Sequence, residues 1–247
     1  YFLQASWRRD GSSRFHPDNR WGNFFSIGTR WNMKREAFLE DVDWVNTLSL
    51  RASFGEVGNN MGIGLYAYQA LYGITTNGGD AALLKTQLAA KDIKWETTQN
   101  LDIAVETRLF DRVNLSVGYF DKRSKDLLFD VKLPLSAGSN PWGDYMNMTQ
   151  LKNIGTISNR GLEIAADVDI IKTNDWTWNM GIDATLLDSE IIKLPGGEDI
   201  LNGSQKYSEG HAVREWFTYH FEGVDQMTGR SLYTIDPEKV ESAASNG

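Results

Sequence analysis

The chain has 247 residues, of which 41% are hydrophobic, with a formal net charge of −8 and no cysteine. No stretch approaches the roughly 20 apolar residues of a membrane-spanning helix, which excludes a helical membrane protein. The absence of cysteine excludes disulfide frameworks and thiolate metal sites. The acidic balance makes nucleic acid a poor partner, because phosphate binding needs a basic surface.

Apolar and polar residues alternate in successive stretches of the chain. The pattern is regular at 25–32 and 48–54, and it returns at 162–170 and 176–184. A period of two places alternate side chains on opposite faces of a sheet, whereas a helix needs a period of 3.6. These stretches therefore predict β-strands with one apolar face and one mostly polar face that carries the charges.

The clearest pair of strands flanks the turn Phe110, Asp111 and Arg112. Residues 101–109 alternate before the turn, and residues 113–120 alternate after it. Two such strands joined by a very short turn are typical of an outer-membrane barrel wall, with lipid outside and a wet lumen inside.

Connection lengths alternate along the chain. Residues 110–112, 172–174 and 225–229 are short turns, and 33–46 counts with them as a link that contains a helical turn at 35–41. The opposite connections are long and rich in Gly, Asn, Ser and aromatic residues, at 10–22, 56–93, 130–153 and 191–212. Barrels of this class have short periplasmic turns and long outer loops.

The predicted fold class is all-β, an antiparallel transmembrane β-barrel segment. About nine strands are predicted, at roughly 1–10, 23–33, 46–58, 94–110, 112–129, 155–171, 175–190, 213–224 and 230–235. Bacterial single-chain barrels have an even number of strands, and a sheet left open in lipid has backbone groups without partners. We therefore expect a piece of a longer polypeptide, without a signal peptide at Tyr1.

Five segments together resemble the SusC/RagA family of TonB-dependent transporters from the outer membrane of Bacteroidetes. They are RRDGSSRF (8–15), LSLRASFGEVGN (48–59), WETTQNLDIAVETRLF (95–110), NIGTISNRGLEI (153–164) and EGHAVREWFTYHFEGVDQMTGRSLY (209–233). The resemblance implies that residues 1–247 are a carboxy-proximal part of a single 22-stranded barrel domain. It also implies that the plug domain, the TonB box and the final strands lie outside this chain.

The same resemblance implies a function and a set of partners. The expected function is TonB-dependent import of oligosaccharides or similar nutrients across the outer membrane, with no enzymatic activity and no cofactor. The expected partners are a SusD-like surface lipoprotein that lids the barrel, an oligosaccharide or peptide ligand, outer-membrane lipid, and the TonB, ExbB and ExbD complex through parts outside this chain.

Candidate ligand-binding residues lie in two of the long loops. Tyr66, Tyr68 and Tyr72 fall in one loop, and Trp142 and Tyr145 fall in another. Aromatic rings beside amides and carboxylates suit sugars, whose C–H faces stack on rings while their hydroxyls bond to polar groups. The alternative is that these aromatics pack the loops against one another.

No catalytic or metal site is predicted. His16, His211 and His220 lack metal-ligand spacing. Two other functions remain open: a non-transporting structural or adhesive barrel, and a soluble β-sandwich that binds carbohydrate. The loop asymmetry argues against the sandwich, as do the tryptophans near the strand ends, which fit interfacial girdles: Trp31, Trp44, Trp95, Trp176 and Trp178.

Overall fold

The computed structural model describes residues 1–133, 136, 149–202 and 204–234. Short 3₁₀ turns occur at Pro17–Asn19, Met33–Arg35 and Pro195–Gly197, and no helix in the described ranges is long and apolar enough to span a membrane. The strands are, in chain order, β1 (Phe2–Gly11), β2 (Trp21–Asn32), β3 (Val45–Asn59), β4 (Leu71–Asn77), β5 (Asp80–Gln87), β6 (Glu96–Leu109), β7 (Val113–Lys132), β8 (Thr149–Lys172), β9 (Thr177–Lys193), β10 (Ile200–Asn202), β11 (Gln205–Tyr207), β12 (Glu215–Trp216), β13 (Phe221–Val224) and β14 (Ser231–Tyr233).

Seven strands form one antiparallel sheet, the wall, in the order β1-β2-β3-β6-β7-β8-β9. The β6 and β7 strands pair without a break from Thr97–Lys125 to Leu109–Val113, as their alternation predicts. The first seven predicted strands are therefore confirmed, although β8 begins at Thr149 instead of residue 155. At about 3.3 Å per residue, β8 extends far beyond the roughly 25 Å apolar band of a barrel, so the wall projects above the membrane.

The strand register makes one face of the wall apolar and the other face mostly polar. One row of paired residues is apolar and consists of Trp31, Leu50, Val105, Val117, Ile164 and Ala184. The next row along the strands lies on the opposite face and consists of Arg30, Arg51, Ala104, Gly118, Glu163 and Thr185. We call these the outer face and the inner face. Val105 on the outer face is 41% exposed, as a surface that lipid covers would be in an isolated chain.

The turn between β6 and β7 has an unusual backbone. Phe110 (φ 52°) and Asp111 (φ 57°) both lie in the left-handed region, which bulky side chains rarely adopt. Tertiary contacts hold the turn: the Phe110 amide donates to the Trp44 carbonyl at 2.8 Å, and the two rings stack with centroids 5.7 Å apart. The Asp111 amide donates to Asn46 Oδ1 at 2.7 Å. These contacts fix the turn and the adjacent 33–46 link to each other.

Three glycines occupy positions that reject a side chain. A Cβ on Gly161 would overlap the Leu186 carbonyl oxygen, and one on Gly155 would overlap the Phe129 ring. Gly229 (φ 68°) ends the short turn at 225–229. In that turn the Thr228 hydroxyl donates to Asp225 at 2.6 Å and lowers the pKa of its carboxyl group.

The last two predicted strands do not extend the wall. Residues 213–224 contain only the short strands β12 and β13, and β12 pairs with β11 while β13 pairs with β14. Arg214 (φ 64°) interrupts the extended backbone, and the register shifts between Phe221 and Gly223. The helical turn predicted at 35–41 is present as a single turn, in which the Leu39 and Glu40 amides donate to the Glu36 carbonyl at 2.9 Å and 3.1 Å, and a 3₁₀ turn precedes it at Met33–Arg35.

The long connection at 56–93 contains structure that the alternation pattern did not predict. Its β4 and β5 strands form a hairpin that pairs from Leu71–Gln87 to Asn77–Asp80. Gly78 (φ 62°) and Gly79 (φ 95°) supply the left-handed backbone that the tight turn requires. The hairpin stands apart from the wall as its own two-stranded sheet.

We expect Ile103→Arg and Asp102→Arg to differ in their effect on folding. Ile103 lies on the outer face between Ala52 and Tyr119, so arginine there would enter lipid and cost about 2–4 kcal/mol near the bilayer midplane. Asp102 lies on the wet inner face and should accept arginine. Heat-modifiable mobility of the full-length protein in native membranes would measure the folded fraction, and equal loss in both variants would show that the faces are assigned wrongly.

Candidate functional site

The inner face carries a compact cluster of charged residues near the short-turn end of the wall. The Glu106 carboxylate accepts from Arg30 Nη2 at 2.8 Å and lies 3.6 Å from Arg51 Nε. Arg30 also donates to the Ser49 hydroxyl at 3.0 Å. Cross-strand neighbours supply all of these contacts, so the register of β2, β3 and β6 builds the cluster. The two guanidinium groups are thereby held against the wall by one carboxylate.

Above this cluster, the inner face is hollowed into a groove. Its volume is about 480 Å³, and β1, β2, β3 and β6 line it. Residues without bulky side chains form its middle, namely Ser26, Gly28, Ser53 and Gly55. Longer side chains flank it, with Gln4 and Arg8 on β1 and Asn100 and Asp102 on β6. We call this feature the wall groove.

Part of the wall groove's polar lining is already paired. Ser6 and Ser26 share a hydroxyl hydrogen bond at 2.7 Å, and Arg8 Nε lies 2.7 Å from the Asp10 carboxylate. The Arg8 guanidinium also lies 5.8 Å from the centroid of the Phe24 ring. Asn100 and Asp102, both half-buried, have side chains without a hydrogen bond or ion pair to any described part of the chain. Two half-buried polar groups thus face the groove with unused bonding capacity.

The outer connections pack into a small hydrophobic core above the wall. We call it the loop core, and its buried members are Phe15, Ile63, Ala90 and Ile93. Phe15 is fully buried at 0% exposure. Leu128 of β7 and Leu151 of β8 pack against the same cluster. Segments from 10–22 and 56–93 therefore share one core with the upper ends of two wall strands.

Trp95 connects the loop core to the wall groove. Its ring lies 5.3 Å from the Phe15 ring and 5.7 Å from the Phe24 ring, measured between centroids. Its indole nitrogen donates to the Arg20 carbonyl at 3.1 Å. Phe24, which is buried, lines the wall groove. The prediction that Trp95 serves an interfacial girdle is therefore wrong, because loop packing occupies its ring, whereas Trp44 and Trp176 are exposed near the short turns.

Two polar side chains bind loop backbone to the loop core. Arg14 Nη1 donates to the Ile63 carbonyl at 3.0 Å, which joins 10–22 to 56–93. The Asn153 side chain accepts from the Lys94 amide at 2.8 Å and donates to the carbonyls of Lys94 and Asp126. Asp126 (φ 56°) sits at a register shift in β7, and its carboxylate pairs with Lys94 Nζ at 2.8 Å. These bonds satisfy backbone groups that no strand ladder reaches.

The fourth outer connection, at 191–212, is held by its own set of contacts. Ile191 and Leu194 are buried where β9 ends, and Glu209 accepts from the Leu194 amide at 2.7 Å. In the small sheet of β10, β11 and β12, Lys206 Nζ lies 2.6 Å from Asp199. The hydrogen bond from Lys206 lowers the pKa of the Asp199 carboxyl group.

Among the described residues, Tyr66, Tyr68 and Tyr72 make no ring contact with one another, and their role in a ligand site stays a prediction. Tyr66 is 58% exposed, whereas Tyr68 packs against the loop core and meets the His16 ring edge-on with centroids 5.9 Å apart. Tyr72 is 57% exposed on β4 and pairs with Lys85 of the hairpin. Trp142 and Tyr145 lie outside the described residues.

The wall groove was not predicted as a site. Its inward positions follow from alternation, but alternation does not show which residues of different strands lie at the same level. Gln4 and Asp102 share one row only through the successive pairings of Gly28 and Ser53.

The seven-stranded wall, with its apolar outer face, polar inner face and packed outer loops, defines an outer-membrane β-barrel. The family described as TonB dependent receptor-like, beta-barrel matches residues 1–238, and the chain belongs to this family. It is 31% identical over 241 residues to TonB-dependent receptor P3 of Formosa agariphila and 33% identical over 226 residues to TonB-dependent receptor SusC of Bacteroides thetaiotaomicron. These matches cover 92% and 87% of this chain but only 23% and 22% of the relatives.

Solved structures share the fold. The RagAB peptide importer in its open-open state superposes with a TM-score of 0.81 at 24% identity, over 96% of this chain and 25% of that chain. The closed-closed state gives a TM-score of 0.79. The chain is thus a wall segment about one quarter the length of the proteins it resembles. The RagA-like barrel fold and the outer-membrane location expected from the sequence are confirmed.

We expect Phe15→Ala to loosen the outer connections without unfolding the wall. Removing a fully buried phenylalanine costs about 3–5 kcal/mol in a packed core, and here the loss falls on the loop core. Hydrogen exchange should accelerate at 60–70 and 88–95 and stay unchanged at 101–109. The control is Phe38→Ala, since Phe38 is 63% exposed in the 33–46 link. Equal exchange in both variants would contradict a shared loop core.

Proposed function

We propose that the protein containing this chain imports oligosaccharides or similar nutrients across the outer membrane, energised through TonB. The observation that carries the proposal is the polar inner face of a wall whose family consists of TonB-dependent receptors. A wall with an apolar outer face and a polar inner face suits the passage of a polar solute through the wet interior. The likeness to SusC supports a nutrient as the cargo.

A SusD-like surface lipoprotein is the proposed partner at the outer side. The connection at 56–93 exposes several large apolar side chains, which are Met61, Leu65, Ile74 and Leu83. Exposed apolar groups concentrated in one connection mark an interaction surface more often than chance exposure does. Ile63, Ala90 and Ile93 of the same connection belong to the loop core, which gives part of this connection a defined structure for a lid to contact.

Growth of the source bacterium tests the import function. Deleting the gene should abolish growth on at least one neutral oligosaccharide as sole carbon source and leave growth on the corresponding monosaccharide unchanged. Restoring the full-length gene should restore growth, and a protonophore should stop uptake of the labelled oligosaccharide. Normal growth of the deletion strain on every oligosaccharide supplied would favour a non-transporting barrel.

Ligand capture by the loop at 130–153 remains a prediction. If Trp142 stacks on a sugar ring, Trp142→Ala should weaken binding by about 1–3 kcal/mol, roughly tenfold or more, through loss of apolar area and stacking. Tyr145→Ala should act in the same direction. Calorimetry on detergent-solubilised full-length protein, with the oligosaccharide that supports growth, measures the effect. Unchanged affinity in both variants, with intact heat-modifiable barrels, would reduce these aromatics to packing residues.

A further inference from the structure

We propose that the outer face of β7, β8 and β9 binds the phosphate groups of outer-leaflet lipids at the upper end of its apolar rows. Charged side chains gather there in what we call the border patch, which consists of Asp121, Arg123, Lys125, Arg160, Asp188, Glu190 and Lys193. They share the outer face with Tyr119 and Leu162, because alternate positions of one strand and paired positions of two strands point to the same side of a sheet. This inference concerns the wall in its membrane and does not depend on the import function.

The border patch begins where the apolar stretch of the wall ends. Asp121 pairs with Leu101, the uppermost apolar residue on the outer face of β6, and Arg123 pairs with Gln99. From Leu101 to Leu109, β6 extends about 26 Å at about 3.3 Å per residue, which is comparable with the roughly 25 Å apolar band of a barrel. The charged side chains therefore lie at the depth of the lipid headgroups on the long-loop side.

The two borders of the apolar stretch differ in their chemistry. On the short-turn side, the outer face of β9 ends at Trp178, an exposed aromatic residue without charge. On the long-loop side, Leu162 is followed on the same face by Arg160, and Leu186 is followed by Asp188. Aromatic rings suit either membrane interface, whereas arginine and lysine gain from anionic headgroups beside them. The charged border is thus suited to a leaflet that carries phosphate.

Carboxylates hold both arginines of the border patch in a fixed orientation. Arg123 donates through Nε and Nη2 to Asp121, at 3.2 Å and 2.9 Å. Arg160 Nε donates to Asp188 at 2.9 Å, and Arg160 Nη2 lies 2.8 Å from the same oxygen. In both arginines Nη1 has no partner in the described part of the chain, and the side chains are 53% and 50% exposed. Guanidinium groups oriented in this way can bind phosphate oxygens with little further loss of side-chain freedom.

Segments of the full protein beyond this chain do not account for these exposed donors. The β7 strand pairs with β6 and β8, and β8 pairs with β7 and β9, so both arginines stand on strands whose neighbours on either side are described. The interior of the barrel lies behind the wall, on the face that carries Lys122. A domain that fills the lumen would contact that inner face, whereas lipid borders the patch directly.

The charge balance of the border patch favours an anionic headgroup. The patch has four cations and three carboxylates, and Arg123 and Arg160 each engage one carboxylate, while Glu190 lies 3.9 Å from Arg160. Lys125 and Lys193 have no ion pair among the described residues and add positive charge above the arginines. The apolar row directly below supplies surface for acyl chains and consists of Tyr119, Leu162 and Leu186. A phosphorylated lipid fits both parts of this surface, whereas inorganic phosphate fits only the charged part.

Two successive residues of β7 give a matched test. Arg123 lies on the outer face and Lys122 on the inner face, so Arg123→Gln and Lys122→Gln each remove one positive charge, from opposite sides of the wall at one height. Arg160→Gln tests the second guanidinium, and a double variant carries both arginine changes. Its control combines Lys122→Gln with Arg112→Gln, because Arg112 lies at the short turn, at the opposite end of the strand. Heat-modifiable mobility verifies that each variant is folded.

The probe is bisphosphorylated lipid A, titrated into the detergent-solubilised full-length protein and measured by native mass spectrometry. The wild type should bind it at least threefold more tightly than monophosphoryl lipid A with the same acyl chains, because one phosphate is lost. We expect affinity for the bisphosphorylated lipid to fall at least threefold in Arg123→Gln and in Arg160→Gln, and at least tenfold in the double variant. Both control variants should bind as the wild type does.

Three results would overturn the proposal. The double arginine variant could bind bisphosphorylated lipid A as tightly as its control, or the wild type could bind the two lipids equally well. Displacement of the bound lipid by an equal concentration of inorganic phosphate would show that the patch binds free phosphate and not lipid. These outcomes are separate from those of the growth test, because lipid binding requires a folded barrel and no transported cargo.

Discussion

Every peptide group that crosses hydrocarbon needs a hydrogen-bond partner within the protein, and the rest of this structure depends on that requirement. The antiparallel ladder meets it for the five inner strands of the wall, whereas β1 and β9 each pair with a neighbour on one side only within the described residues. An extended ladder sends alternate side chains to opposite faces, so the same constraint that satisfies the backbone also separates the apolar outer face from the polar inner face. The residues at each level of the lumen are then set by register.

Above the membrane, water can satisfy backbone hydrogen-bonding groups, and side-chain contacts determine the structure there. Packing around Phe15 and hydrogen bonds from Arg14 and Asn153 replace the ladder as the organising contacts. The hairpin of β4 and β5 departs from the wall in the same region. The molecule thus combines a lower part ordered by backbone pairing with an upper part ordered by side chains.

This division explains what the sequence predicted and what it did not. The strands around Phe110 were predictable because alternation is a local property of each strand. The hairpin at 71–87 was missed although Asn77 and Gly78 form a recognised turn signal, since its strands alternate weakly. The loop core and the wall groove join residues far apart in the chain, such as Gln4 and Asp102, and local patterns do not reveal such contacts. The prediction of the last two strands was wrong because single residues such as Arg214 interrupt the extended backbone.

The contact of Trp95 with both Phe15 and Phe24 has a consequence for how such barrels diversify. New specificities could arise by exchanging one outer loop between relatives if the loops were independent modules. Here a foreign segment in place of 10–22 would remove Phe15 and leave Ile63, Ile93 and Trp95 with unmatched apolar surface. The same exchange would disturb Phe24 at the wall. An exchange that keeps this packing therefore has to replace the contacting segments of the loops and the wall together.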